Sequence, residues 1–264
     1  MNSIYHALAN LKELGHPGIL CTIISTKGST PRREGSKMLV YPDGNFVGTI
    51  GGGEVEHRTI GEALEALKNG SPRISHYSMV DPSRGDPGVC GGELDIFIDP
   101  IMPQNKLVIV GGGHVGKEVA SLGKWLGFRV VMCDDRPDYC TPETVPDADE
   151  FYSDSLTDLT KCIEINSWTF VVLTTRSVDV DVSILPMFLD SEAAYIGVIG
   201  SRRRWSTTKA KLLGKELLPE VIDKIHSPIG IDLKGDTPKE IALSILAEIV
   251  MVQHNGRAKG LSEN

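Results

Sequence analysis

Apolar positions run through the 264 residues in two different rhythms. Before residue 103 they change period from one stretch to the next. Ile4, Leu8 and Leu11 recur at helical spacing, which predicts a helix over 3–14 that Gly15-His-Pro-Gly18 brings to a stop. The Ile- and Thr-rich run 18–26 reads as a strand. Residues 37–41 and 46–50 read as a hairpin around the turn Pro42-Asp-Gly-Asn45. Gly51-Gly-Gly53 leads into a helix over 54–67, with Val55, Ile60, Leu64 and Leu67 on one side. A strand over 73–80 follows, then a Gly- and Pro-rich stretch over 81–92. Leu94, Ile96 and Ile98 alternate with Asp95 and Asp99, a strand pattern. Pro100 to Asn105 reads as a linker. This part is expected to be an α+β domain, residues 1–102.

From residue 103 onward, short apolar runs alternate with amphipathic ones. Strands are expected at 107–110, 129–133, 169–174 and 194–199. Helices are expected at 115–126, 155–164, 183–189, 206–217 and 238–252. That alternation predicts an α/β fold, a doubly wound parallel sheet of Rossmann type over 103–264. The last helix has a marked start, with Thr237 as N-cap, Pro238 at the first position and Glu240 closing a capping box. Its residues 241–252 are apolar nearly all round, which points to a buried helix or a dimer interface.

One stretch carries a chemical fingerprint. Val110 ends an apolar run, and Gly111, Gly113 and Gly116 follow at the G-x-G-x-x-G spacing that opens a helix. The first glycine makes a tight turn, the second lets backbone approach a pyrophosphate, and the third lets helix and strand pack closely. His114 and Val115 lie inside the loop, where the histidine could touch phosphate or simply cap and pack. Asp134 and Asp135 end the second strand, 18 and 19 residues past Gly116, where an acid is needed for ribose hydroxyls. Arg136 follows and could instead meet a 2′-phosphate. NAD, NADP and another dinucleotide all stay open.

Three further clusters qualify. Gly200-Ser201-Arg202-Arg-Arg204 places three cations at a helix start, where the dipole repels them, so an anion there or a solvated basic face would account for them. Cys90, flanked by Gly91 and Gly92, is either a soft-metal or sulfur ligand or a small buried side chain. Glu54, Glu56 and His57 after the triple glycine could be ligands or a favourable acidic first turn, at a helix start of the kind that attracts anions.

Bulk properties narrow the partners. A net charge of −8 argues against nucleic acid or an anionic membrane surface as the main partner. No leader-like start and no apolar run long enough for a membrane span occur. Five cysteines without a C-x-x-C pair argue against a disulfide framework or structural zinc and fit reduced thiols in the cytoplasm.

Taken in order, Gly28-Ser-Thr-Pro-Arg32, Gly35-Ser-Lys-Met-Leu39, Gly48-Thr-Ile-Gly-Gly-Gly53, Cys90-Gly-Gly92, Val110 to Gly116, Asp134-Asp-Arg136, Tyr195 to Arg202, Ser227 to Asp232 and Thr237-Pro238 resemble the XdhC/CoxI family, accessory proteins of xanthine dehydrogenase and related molybdenum hydroxylases. The resemblance spans nearly the whole chain. It implies a cytoplasmic homodimer that binds molybdenum cofactor (molybdopterin) and delivers it to an apo-hydroxylase. The pterin or its nucleotide extension would lie in the Rossmann domain and the metal end near Cys90. Two positions depart from the family pattern. Glu54 stands where a cysteine commonly follows the triple glycine, and Thr175 to Asp181 replaces a Gly-His pair near an aspartate. A competing reading is an NAD(P)-dependent oxidoreductase. For that reading His114 and His226 are the candidate proton carriers, and neither has a partner that can be named from the sequence. A nucleotide-sensing module is the third reading. Whether any reaction is catalysed stays open.

Overall fold

The computed structural model describes residues 3–79 and 91–259. The chain divides into two compact units, Met1–Pro103 and Gln104–Asn264.

In the first unit α1 (Ile4–Leu14) begins on Ser3, whose hydroxyl accepts from the Tyr5 amide, and ends on Gly15 in the left-handed region. Strands β1 (Gly18–Lys27), β2 (Lys37–Val40) and β3 (Phe46–Gly48) precede α2 (Gly53–Asn69), and β4 (Arg73–Ser78) and β5 (Glu93–Ile101) follow it. All pairings are antiparallel, in the order β3-β2-β1-β5-β4. Alternation along β1 and β5 turns Ile19, Cys21, Ile23, Leu94, Ile96 and Ile98 into one buried face, packed with Val55, Ala63 and Ala66 of α2. On the other side Ala7 and Leu11 of α1 cover Leu39. The expected linker at 100–105 is shorter than its prolines suggest: β5 continues to Ile101, with Pro100 opposite Ile19. A proline is tolerated there because the strand is ending.

The second unit contains β6 (Lys106–Val110), α3 (His114–Trp125), β7 (Arg129–Cys133), β8 (Glu150–Tyr152), α4 (Leu159–Cys162), β9 (Thr169–Leu173), α5 (Val178–Leu189), β10 (Tyr195–Val198), α6 (Arg202–Leu213), α7 (Pro219–Ile222) and α8 (Pro238–Gln253). The sheet is parallel throughout, in the order β10-β9-β6-β7-β8. Both of its faces are covered. Leu107, Ile109, Val130 and Met132 pack with Val119 and Ala120 of α3 and with Ile245, Leu246 and Ile249 of α8. Val108, Val110, Val131 and Val171 pack with Ile184, Leu185 and Phe188 of α5 and Leu212 of α6. This is the doubly wound α/β architecture that the alternation of elements predicts. Thr237 and Glu240 form the capping box on α8, which buries one side and leaves Leu243 exposed on the other. Two expected helices start earlier than their apolar spacing indicates. The helix placed at 183–189 begins at Val178, because Ser177 caps it, and the one placed at 206–217 begins at Arg202, capped by Ser201. The segment 155–164 is one 3-10 turn, Leu156–Asp158, followed by the short α4.

From β6 the chain winds outward to β7 and β8, then returns to the other flank of β6 as β9. The winding reverses between β6 and β9, and in such sheets ligands bind in the crevice at the carboxyl ends of the strands beside that reversal.

Candidate functional site: the glycine loop at the sheet's switch point

Val110, Cys133 and Leu173 lie level in adjacent strands, so the chain leaves β6, β7 and β9 side by side. The Gly111 amide donates to the Cys133 carbonyl (2.8 Å) and the Thr174 hydroxyl to the Gly111 carbonyl (2.6 Å), which ties the glycine loop to both neighbours. The glycines divide their work as the fingerprint requires. Gly111 has φ +117°, and a Cβ there would lie 2.5 Å from the Thr174 carbonyl oxygen. A Cβ on Gly116 would fall 1.9 Å from the Gly111 carbonyl oxygen, so helix and turn touch backbone to backbone. Gly112, the unassigned member, also has no room: its Cβ would sit 2.0 Å from the Tyr139 carbonyl oxygen. Gly113 differs, because nothing lies within 4 Å of the place its Cβ would take.

Gly113 caps α3 with no side-chain bond, and its carbonyl takes the Lys117 amide. Among the described residues the amides of Gly113, His114, Val115 and Gly116 have no acceptor. Four free donors at the positive end of a 12-residue helix, beside an open backbone face, suit a phosphate. His114 is exposed on the first position of α3.

The two acids take unequal positions. Asp134 is 2% exposed and turns back into the loop, accepting from the Gly112 amide (2.8 Å) and from the Arg136 amide, Nε and Nη2 (3.0, 2.9 and 2.8 Å). Burial alone would raise its pKa, but the bonds from Arg136 and Gly112 outweigh that and hold the carboxyl below its usual range. Arg136 is thereby fixed, and its guanidinium also lies 3.8 Å over the Tyr139 ring. Asp135 faces outward and forms a two-bond pair with Arg176 at 2.6 and 2.7 Å, and that guanidinium holds its carboxyl below the usual range. Asp135, Arg136 and Arg176 line one small crevice with Gly111 and Thr175. Nothing local in the sequence signals Arg176, because 41 residues separate it from its partner.

The arginine cluster resolves into separate roles. Arg204 reaches the fully buried Asp181 (2.6 Å) and also the carbonyl and hydroxyl of Thr175. Thr175 itself donates to Asp181. The anion that the cluster called for is thus, at Arg204, the chain's own carboxylate. Gly200 (φ +146°) sits directly against the Arg204 side chain, and Ser201 accepts from the Arg204 amide as N-cap. Arg202 is exposed; the bond from Lys234 holds the Asp232 carboxyl below its usual range against burial, and the charge of Arg202 adds a smaller lowering. His226 is not beside the loop: it meets Glu248 (3.3 Å) and stacks on Tyr195 (4.4 Å), within a cluster that includes the Gly230 amide.

In the first unit a carboxylate already occupies two of the three glycine amides of the triple-glycine loop. Glu56 Oε1 accepts from the Thr49 hydroxyl (2.5 Å) and from the amides of Ile50, Gly51 and Gly52 (3.0, 3.3 and 2.8 Å). Burial opposes ionisation of Glu56, yet these bonds hold its pKa below the usual range. Glu54 points elsewhere, to Arg58. Glu54, Glu56 and His57 therefore do not converge, and the described residues contain no grouping of three His, Cys, Asp or Glu side chains suited to a metal ion. The family stretches do converge there: a Cβ on Gly51 would meet Pro31 at 3.0 Å, and one on Gly92 would meet the Ser29 carbonyl oxygen at 2.2 Å. Cys90 lies outside the described residues. Burial raises the thiol pKa of Cys21 to about 12 and raises those of Cys133 and Cys140, which makes all three inert at neutral pH. Among the described residues no helix is long and apolar enough to cross a membrane.

A family model described as the XdhC Rossmann domain matches residues 107–249, and one described as the XdhC and CoxI family matches 11–78. The chain belongs to the XdhC/CoxI family. An uncharacterized Escherichia coli K12 protein, YqeB, is 33% identical over 96% of the chain and 47% of its own length. A probable xanthine dehydrogenase subunit of Bacillus subtilis 168 is 30% identical over 60% of the chain and 46% of its own length. The molybdenum cofactor insertion chaperone PaoD of E. coli K12 is 25% identical over 90% of the chain and 84% of its own length. This XdhC/CoxI member thus spans about half the length of the first two relatives. The crystal structure of a xanthine dehydrogenase from Bacillus halodurans matches 97% of both chains with a TM-score of 0.52 at 23% identity, a likeness of fold.

Proposed function

We propose that this protein is an accessory factor that takes molybdenum cofactor as cargo and passes it to a molybdenum hydroxylase of the xanthine dehydrogenase kind. The observation that carries the proposal is the loop at the switch point. Its free amides and the open face of Gly113 suit the phosphate end of molybdopterin, or the pyrophosphate of its nucleotide form. Support also comes from the relatives named for molybdenum cofactor insertion and for xanthine dehydrogenase. In this reading Gly113, His114, Val115 and Gly116 hold the phosphate through backbone N–H, while Asp134 and Arg136 keep the loop in shape. A dehydrogenase is the weaker reading, because His226 is engaged away from the loop and Asp134 is turned inward from any ribose.

The test is the small molecule that copurifies with the full chain, made anaerobically in a host that synthesises the cofactor. Mass spectrometry after denaturation should find a pterin phosphate, which Gly113→Val loses while remaining folded. A nicotinamide dinucleotide in its place would overturn the proposal.

A further inference from the structure

We propose that Arg176 is a second phosphate-binding residue of the crevice, and that Asp135 holds on its guanidinium the place that phosphate oxygens would take. The inference rests on the reading of the Gly111–Gly116 loop as a phosphate site and names the chemistry of that site: two neighbouring phosphates, a pyrophosphate.

Asp135 follows β7 and Arg176 follows β9, the strands on either side of β6, so their bridge crosses the end of the strand from which the glycine loop emerges. Its two parallel bonds, 2.6 and 2.7 Å, use the planar fork that fits two phosphate oxygens equally well. Both side chains are partly in water, 45% and 37% exposed, so the bridge is a weak one that an anion can displace. The neighbouring cation cannot take this role, because Arg136 is fixed by Asp134 and Tyr139. Nor can Arg204, which is held by buried Asp181. The amides at the start of α3 take one phosphate and Arg176 the next, and Asp135 lowers the affinity of the second position by competing for it.

The experiment is calorimetric titration of the full chain and its variants with inorganic pyrophosphate, and separately with orthophosphate, at low ionic strength. Arg176→Gln should weaken pyrophosphate binding about tenfold, the scale of a lost charge-assisted pair, and leave orthophosphate within about twofold. Asp135→Asn should tighten pyrophosphate about threefold, the scale of an exposed ion pair, with a smaller change for orthophosphate. Wild-type pyrophosphate affinity in Arg176→Gln, or weaker pyrophosphate binding in Asp135→Asn, overturns the proposal. Gly113→Val separates the two readings. If it abolishes pyrophosphate binding while Arg176→Gln does nothing, the loop stands and Arg176's role falls. If pyrophosphate binding survives Gly113→Val, or the wild type binds none, the phosphate site itself falls.

Discussion

Two glycine-rich turns lead into helices in this chain, one ahead of α2 and one ahead of α3, and they differ in what occupies their backbone amides. Ahead of α2 a carboxylate four residues past the N-cap, Glu56, folds back and takes the Ile50, Gly51 and Gly52 amides. Ahead of α3 the acid comes from another strand. Asp134 takes only the Gly112 amide from behind and leaves the outer four free. A glycine-rich helix start is therefore an anion site only when no side chain of the same protein reaches its donors first. The first turn has the amides up to its N-cap, Ile50 to Gly52, taken from within, and the second keeps its N-cap amide, Gly113, for a ligand.

The largest expected effect breaks the joint between β6 and α3. Gly116→Ala should destabilise the second unit by about 3 kcal/mol or more, because backbone must move to admit the methyl group. Gly53→Ala, at φ +63° with open space around it, should cost only about 1 kcal/mol. Urea denaturation of the two variants measures the contrast. Next comes Glu56→Ala, which strands three amides and a hydroxyl. A loss of about 3 kcal/mol is expected, since a charged acceptor of several bonds is removed. A loss below about 0.5 kcal/mol would mean that water replaces the carboxylate without cost, and the comparison would lose its basis.

Acid should weaken both turns by the same physics. Glu56 and Asp134 have folded-state pKa values below their ordinary 4.5 and 3.8. Their contribution is complete above those ordinary values and is lost as pH falls below them through the folded values. Asp134→Asn should therefore lower stability at neutral pH and flatten the acid limb of a pH–stability curve, and an unchanged limb would contradict the assignment. The smallest effect on stability is expected from Gly113→Ala, within about 0.5 kcal/mol, because the methyl group meets nothing and φ is −71°. Its thermal midpoint should match the wild type while phosphate binding drops.

Much of this contrast is local and can be read along the chain, but the deciding part is not. The periodicity of 103–264 reveals the parallel sheet, and the glycine spacing reveals which residue packs and which stays open. Glu56 is close in sequence to the glycines, yet it sits one position past the N3 site of a capping box, and an acidic first turn explains it equally well. The three residues of β8 are too few to show a period. The pairs Asp135–Arg176 and Asp181–Arg204 join residues 41 and 23 apart, brought together only when the strands align.

The claim that the Gly113 end of the second turn is open to phosphate while Gly51 and Gly52 of the first are occupied is tested most directly by glycine-selective 15N labelling and amide shifts during a pyrophosphate titration. The Gly113 and Gly116 signals should move along a common saturation curve while Gly51 and Gly52 stay in place. Movement of Gly51 and Gly52 with Gly113 and Gly116 unchanged would contradict the account.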